Sequence, residues 1–204
     1  MTITPFDANA ARFLALGDSY TIGEGVAEAE RWPVQLARAL DIGPPEILAR
    51  TGWTTDELAD AMGGHTFRPP YALVSLLIGV NNQYRGRDLQ NYRDEFRALL
   101  QRAVELADSK PQRVVVVSIP DWGVTRFGRE SGRDMAQIAR EIDAYNAANA
   151  EISRSLHAHY VDVTAFSRED ADLVVGDGLH PDAAAYRRWS AAILPVARST
   201  LQSR

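Results

Sequence analysis

The chain is predicted to fold as a doubly wound α/β protein, a parallel sheet with helices on both faces. Two observations carry this. Short apolar runs of strand length recur at wide spacing with helical patterns between them, and strand and helix alternate five times. Several of the runs are continuous rather than alternating, which is how strands covered on both faces read.

The expected strands are Arg12–Gly17, Glu46–Ala49, Ala72–Gly79, Arg113–Ile119 and His159–Val163. The first expected helix, Trp32–Leu40, places Trp32, Leu36, Ala39 and Leu40 at three- and four-residue spacing, with Pro33 in the first turn, where its missing N–H is harmless. Thr55–Met62, Asp88–Ala107, Arg133–His157 and Pro181–Leu201 complete the helical set. There is no internal repeat and no low-complexity tract, and "IGPPEI" at Ile42–Ile47 is a short connector. At 204 residues, one domain spanning 1–204 accounts for the whole chain.

Composition narrows the function. Hydrophobic residues are 46% and charged residues 24% of the chain, the balance of an ordinary globular protein. The formal net charge of −5, without a basic run, argues against nucleic acid or an anionic membrane surface, which are gripped by clustered Lys and Arg. A small-molecule substrate fits better. Cysteine is absent, so disulfides and thiolate metal sites are excluded. The N-terminal "MTITPFDANAARF" has no positive region followed by a long apolar one, and no stretch approaches eighteen apolar residues. The expectation is a cytoplasmic protein without integral membrane association.

In a doubly wound sheet, ligands sit beyond the carboxyl ends of the strands. The first such end reads "FLALGDSYTIGEGV", Phe13–Val26, and admits three readings. Ser19 stands just past the strand between Gly17 and Gly23, where a nucleophile would be exposed. A phosphate-cradling P-loop fails, because the glycine spacing is wrong and Glu24 stands where lysine is required; a Gly-x-Ser-x-Gly elbow fails at Thr21. A flavin-mononucleotide phosphate site built from Ser19, Thr21 and Gly23 remains open. In isolation, Asp18 or Ser19 reads simply as a turn cap.

Near the other terminus, "GDGLHPDAAAY" sets Asp177 three residues before His180. A serine nucleophile needs a base to take its proton, and the base needs a carboxylate to fix its tautomer. Donors for a developing oxyanion are available at two further strand ends. Gly52 in "ARTGWTT" can bring its N–H close to a ligand, and Asn81 in "LLIGVNNQYRG" offers a neutral amide. With the N–H of Ser19 they make three converging donors. The flavin alternative leaves Asn81, Asp177 and His180 without work.

Gly17-Asp18-Ser19, Gly52, Gly79-Val80-Asn81 and Asp177-Gly178-Leu179-His180 together resemble, in order, the four blocks of the SGNH (GDSL-like) hydrolases. The resemblance implies a flavodoxin-like three-layer α/β/α sandwich with a sheet of about five strands, carrying an esterase or lipase site. It implies Ser19 as nucleophile, His180 as general base and acid, Asp177 as its orienting carboxylate, and Ser19, Gly52 and Asn81 as the oxyanion hole. The implied substrate is a small acyl ester, with lysophospholipids, thioesters and acetylated sugars as variants, and no cofactor is needed. The third block often reads Gly-x-Asn-Asp; Asn82 stands here in place of the aspartate.

Other features carry weaker expectations. His157, His159 and Asp162 have metal-ligand composition, but a helix end and a strand start need not turn the two imidazoles together, so no metal is expected. His65 and the helix face bearing Arg93, Arg97 and Arg102 read as solvated. The long segment Ser118–Gly132, with Trp122 and Phe127 among glycines, reads as a pocket wall or lid, or as aromatics packed on the body. Trp53 is placed with Trp122 and Phe127 as a substrate-binding candidate.

Overall fold

The structure, a computed structural model, describes residues 11–202. Residues 1–10, which hold most of the stretch behind the targeting expectation, lie outside it. Strands β1 (Phe13–Gly17), β2 (Glu46–Ala49), β3 (Leu73–Leu77), β4 (Val114–Val117) and β5 (His159–Val161) form a parallel sheet in the order β2-β1-β3-β4-β5. β1, β3 and β4 are buried throughout, which explains their unbroken apolar runs, whereas the edge strands β2 and β5 are half-buried.

The helices are α1 (Ser19–Ile22), α2 (Trp32–Ala39), α3 (Thr55–Gly64), α4 (Val80–Tyr84), α5 (Leu89–Leu106), α6 (Arg126–Glu130), α7 (Met135–Ser155), α8 (Thr164–Glu169) and α9 (Ala183–Gln202). α2 packs on α9, while α5 packs on both α3 and α7, so the architecture is a three-layer α/β/α sandwich. No helix among the described residues is long and apolar enough to cross a membrane.

Side-chain hydrogen bonds set boundaries that apolar periodicity does not see. Asp134 accepts from the N–H groups of Ala136 and Gln137, so α7 starts after it and not at Arg133. Asp182 does the same for Ala184 and Ala185, delaying α9 past Pro181. The Ser118 hydroxyl accepts from Val163 and Thr164 N–H, which ends β4 and β5 earlier than their apolar runs. The arginines of α5 are not merely solvated: Arg93 pairs with Glu151 at 2.8 Å, Arg97 donates to Ser155 and Arg102 to the Met62 carbonyl.

The register positions the site. Gly17 lies opposite Ala49 of β2 and Leu77 of β3, so three carboxyl ends finish level with β1 in the middle. A Cβ at Gly17 would lie 2.4 Å from the Leu77 carbonyl oxygen, a backbone atom that cannot yield. Only glycine lets the chain pass there into α1. Two residues on stands Ser19.

Candidate active site

Four chain segments meet at this end of the sheet. The α1 segment is a single turn whose start is capped by Asp18, which accepts from the Tyr20 N–H at 3.0 Å. The capping reading of this stretch is therefore correct for Asp18 and leaves the next residue, Ser19, at the first helical position. The loop after β2 supplies Gly52 at φ +88°, a left-handed conformation that favours glycine. The loop after β3 turns at Gly79, φ +129°, into α4, which carries Asn81. The loop before α9 carries Asp177 and His180.

Ser19, Gly52, Asn81 and His180 line one cavity of about 260 Å³, together with Tyr20, Thr51, Val80, Tyr84, Trp122, Phe127 and Leu179. Ser19 is 5% and His180 8% exposed, so both are largely withdrawn from solvent. There electrostatic interactions are worth more than at an open surface.

Asp177 forms a compact turn around its own carboxylate. Oδ1 accepts from the N–H groups of Leu179 at 2.7 Å and His180 at 3.0 Å, and Oδ2 meets His180 Nδ1 at 2.7 Å. Gly178, φ +75°, makes the turn possible. Partial burial pushes the Asp177 carboxyl up, but the bonds from the His180 ring and the two N–H groups outweigh it and hold the group below the usual carboxylate range. An ionised Asp177 accepts a hydrogen bond from Nδ1–H, which leaves Nε2 as the ring atom free to exchange a proton in the cavity.

Ser19, Gly52 and Asn81, which line the same cavity, each carry an N–H donor. The N–H groups of Ser19 and Gly52 have no hydrogen-bond partner among the described residues. Asn81 Nδ2 donates one of its two protons to the Trp53 carbonyl at 2.9 Å, which fixes the amide's orientation and leaves the second proton available. The Ser19 hydroxyl likewise has no hydrogen-bond partner among the described residues, and catalytic contacts are often open before substrate arrives.

The sequence candidates divide here. Trp122 and Phe127 line the cavity, and Trp122 is both wall and core: it is buried, and its Nε1 donates to Gln83 Oε1 at 2.8 Å. The segment around them is not an open loop, since it holds a short turn at Trp122–Val124 and α6. Trp53 does not line the cavity; its side chain packs against the core and its carbonyl serves Asn81. His65 is not simply solvated, because Nε2 meets Glu46 Oε1 at 2.7 Å and the ring packs on Phe67.

The flavin-phosphate reading loses its geometry. Thr21, which would have to offer its hydroxyl, is fully buried within α1, and Glu24 is tied to the Thr51 hydroxyl beside the cavity. Among the described residues no three His, Asp or Glu side chains gather as metal ligands, and Asp162 Oδ1 is occupied by Ser118 and the Thr164 N–H.

Sequence reasoning missed Tyr20, Thr51, Val80, Tyr84 and Leu179 as lining residues. Tyr20, Thr51, Val80 and Leu179 each adjoin a candidate in sequence, and Tyr84 lies three residues after Asn81 in α4. It also missed the burial of Asp18, whose carboxyl is pushed up to about 7 because burial outweighs the N–H groups that hydrogen-bond to it.

The fold is a three-layer α/β/α sandwich, and Ser19 and His180 line one hollow at its strand ends. The model of the GDSL-like Lipase/Acylhydrolase family matches residues 15–188, and the chain belongs to that family, which makes it a carboxylic ester hydrolase. Among solved structures it is similar to TesA, at 19% identity and TM-score 0.72, over 93% of this chain and 99% of the other. Phospholipase A1 from Streptomyces albidoflavus NA297 is similar at 20% identity and TM-score 0.65, over 94% and 99%. A variant of Axe2, an acetyl-xylooligosaccharide esterase from Geobacillus Stearmophilus, gives 20% and 0.68, over 92% and 94%. At these identities the likeness shows the fold. No curated protein sequence matches.

Proposed function

We propose that the protein hydrolyses small acyl esters through an acyl-enzyme on Ser19. The observation that carries the reading is the Asp177–His180 pair, joined at 2.7 Å, with its imidazole in the same cavity as Ser19. Nε2 of His180 takes the Ser19 proton as Oγ adds to the ester carbonyl, and the ionised Asp177 stabilises the imidazolium. The oxyanion is received by the Ser19 and Gly52 N–H groups and the second proton of Asn81 Nδ2. His180 then protonates the leaving alcohol, and the same imidazole activates water for deacylation.

The hollow of about 260 Å³ is open to Ser19 and His180. Tyr20, Val80, Tyr84, Trp122, Phe127 and Leu179 give it a mainly apolar lining, which suits an acyl chain.

The test is a panel of chromogenic acyl esters of increasing chain length, run beside a serine-directed phosphonate with mass mapping. Labelling of Ser19 and loss of turnover on the order of a millionfold in Ser19→Ala are expected. Retention of a tenth of wild-type activity by that variant would remove Ser19 as nucleophile. A purified protein that retains a yellow flavin band would point back to flavin binding.

A further inference from the structure

Asn82, where the resembling family usually has aspartate, is completely buried and bonds twice to one residue, Thr55, at the start of α3. Its Oδ1 accepts from the Thr55 N–H at 3.1 Å, and its Nδ2 donates to Thr55 Oγ1 at 2.6 Å. Thr55 Oγ1 in turn donates to Glu95 Oε2 on α5. Glu95 is anchored through its other oxygen, which accepts from Asn91 Nδ2 at 2.7 Å.

Proton counting makes this chain directional. A hydroxyl has one proton and two lone pairs. Facing the carboxylate of Glu95, Thr55 Oγ1 spends its proton there and turns a lone pair toward residue 82. The Thr55 N–H, one bond system away, can only donate. Position 82 must therefore accept from the nitrogen and donate to the oxygen, and of Asn and an ionised Asp only the amide does both. An aspartate would satisfy the N–H but compete with Glu95 for the single hydroxyl proton, leaving two carboxylates around one buried threonine.

We propose that Glu95, acting through Thr55, dictates asparagine at position 82, and that Glu95 is a positioning residue for the loop holding Asn81. The catalytic part of this inference rests on Asn81 serving as an oxyanion donor. Asn82 and Asn81 are consecutive in α4, so a shift of the Asn82 amide against α3 moves the Asn81 Nδ2 that must meet the oxyanion.

The experiment is a double-mutant cycle on the full chain, reading kcat and KM on a short acyl ester and urea midpoints. Asn82→Asp should lower kcat about tenfold or more with KM little changed, and lower the midpoint. Glu95→Gln should lower kcat about two- to threefold, because an amide oxygen is the weaker acceptor. The double variant should recover at least about fivefold over Asn82→Asp, since the hydrogen bonds can reverse: the amide introduced at position 95 donates to Thr55 Oγ1, which donates to the carboxylate introduced at position 82.

A double variant no better than Asn82→Asp in kcat and midpoint overturns the proposal. Should Asn82→Asp fail to fold, a folded double variant within about threefold of wild-type turnover supports it, and an unfolded one overturns it. Asn81→Ala separates the two readings. Full turnover in that variant removes the oxyanion role, and with it the positioning of catalysis, while the midpoint cycle still decides whether Glu95 dictates residue 82.

Discussion

Asp18→Asn reads a buried carboxyl directly from stability. In the fold Asp18 is fully enclosed, its Oδ2 has no hydrogen-bond partner among the described residues, and burial pushes its pKa from an ordinary 3.8 up to about 7 despite the N–H groups that pull it down. Below pH 3.8 both folded and unfolded chains carry the proton, and stability is at its full value. As pH rises through the interval, the unfolded chain ionises while the folded one does not, so stability falls until about pH 7 and is then level. Between pH 4.5 and 8 the two titrations differ by somewhat over two pKa units' worth of proton binding, or about 3 kcal/mol. Asparagine has no such titration. Urea unfolding of wild type and Asp18→Asn should therefore show a stability difference that shifts by about 3 kcal/mol in favour of the variant across that range, about 1–3 M in midpoint for an m-value of 1–3 kcal/mol/M. Subtracting the two proteins removes every other titrating group. A difference that stays constant within about 0.5 kcal/mol would show that Asp18 ionises normally and that the burial argument fails.

Further outcomes follow from the site. Asn81→Ala should reduce kcat by about a hundred- to a thousandfold with KM nearly unchanged, and cost about 1 kcal/mol in unfolding for the lost bond to the Trp53 carbonyl; steady-state kinetics beside urea midpoints separate the two effects. Asp177→Asn should cut turnover by about ten-thousandfold while labelling of Ser19 by the phosphonate becomes slow rather than absent. The Asp177 carboxyl is held below its ordinary range, so its stabilisation is present above the unfolded value of 3.8 and lost as pH falls through the lower folded value; the variant should show no such acid loss in circular dichroism melts. Gly79→Ala should destabilise by more than about 2 kcal/mol, because a Cβ there meets Tyr92 Oη at 2.5 Å and Ile119 Cδ1 at 2.8 Å at a φ of +129° that alanine resists; thermal melting measures it.

The convergence of the candidate residues was legible in linear order because a parallel sheet converts sequence order into spatial adjacency. Ser19 follows β1, Gly52 follows β2 and Asn81 follows β3, and the level ends of these neighbouring strands bring the three loops together. Asp177 and His180 were legible because their bond closes within one turn. Trp53 is absent from the cavity lining for the opposite reason: which way a side chain leaves a loop depends on the turn, and here Thr51 and Gly52 take the cavity side. His65 met its partner nineteen residues away on β2, a pairing that no local pattern encodes.

The sequence by itself determined the alternation of strands and helices and the residue types the chemistry needs, because both are local: apolar period sets the element, and glycine, serine, asparagine or histidine at a strand end sets what can react. Only the tertiary structure decided what depends on distant partners. Burial on all sides raised the Asp18 carboxyl, Gln83 fixed the Trp122 wall, and Thr55 and Glu95, 27 and 13 residues from Asn82, gave the amide at that position its reason. Desolvation and hydrogen-bond direction are properties of a neighbourhood, and the neighbourhood exists only once the layers have packed.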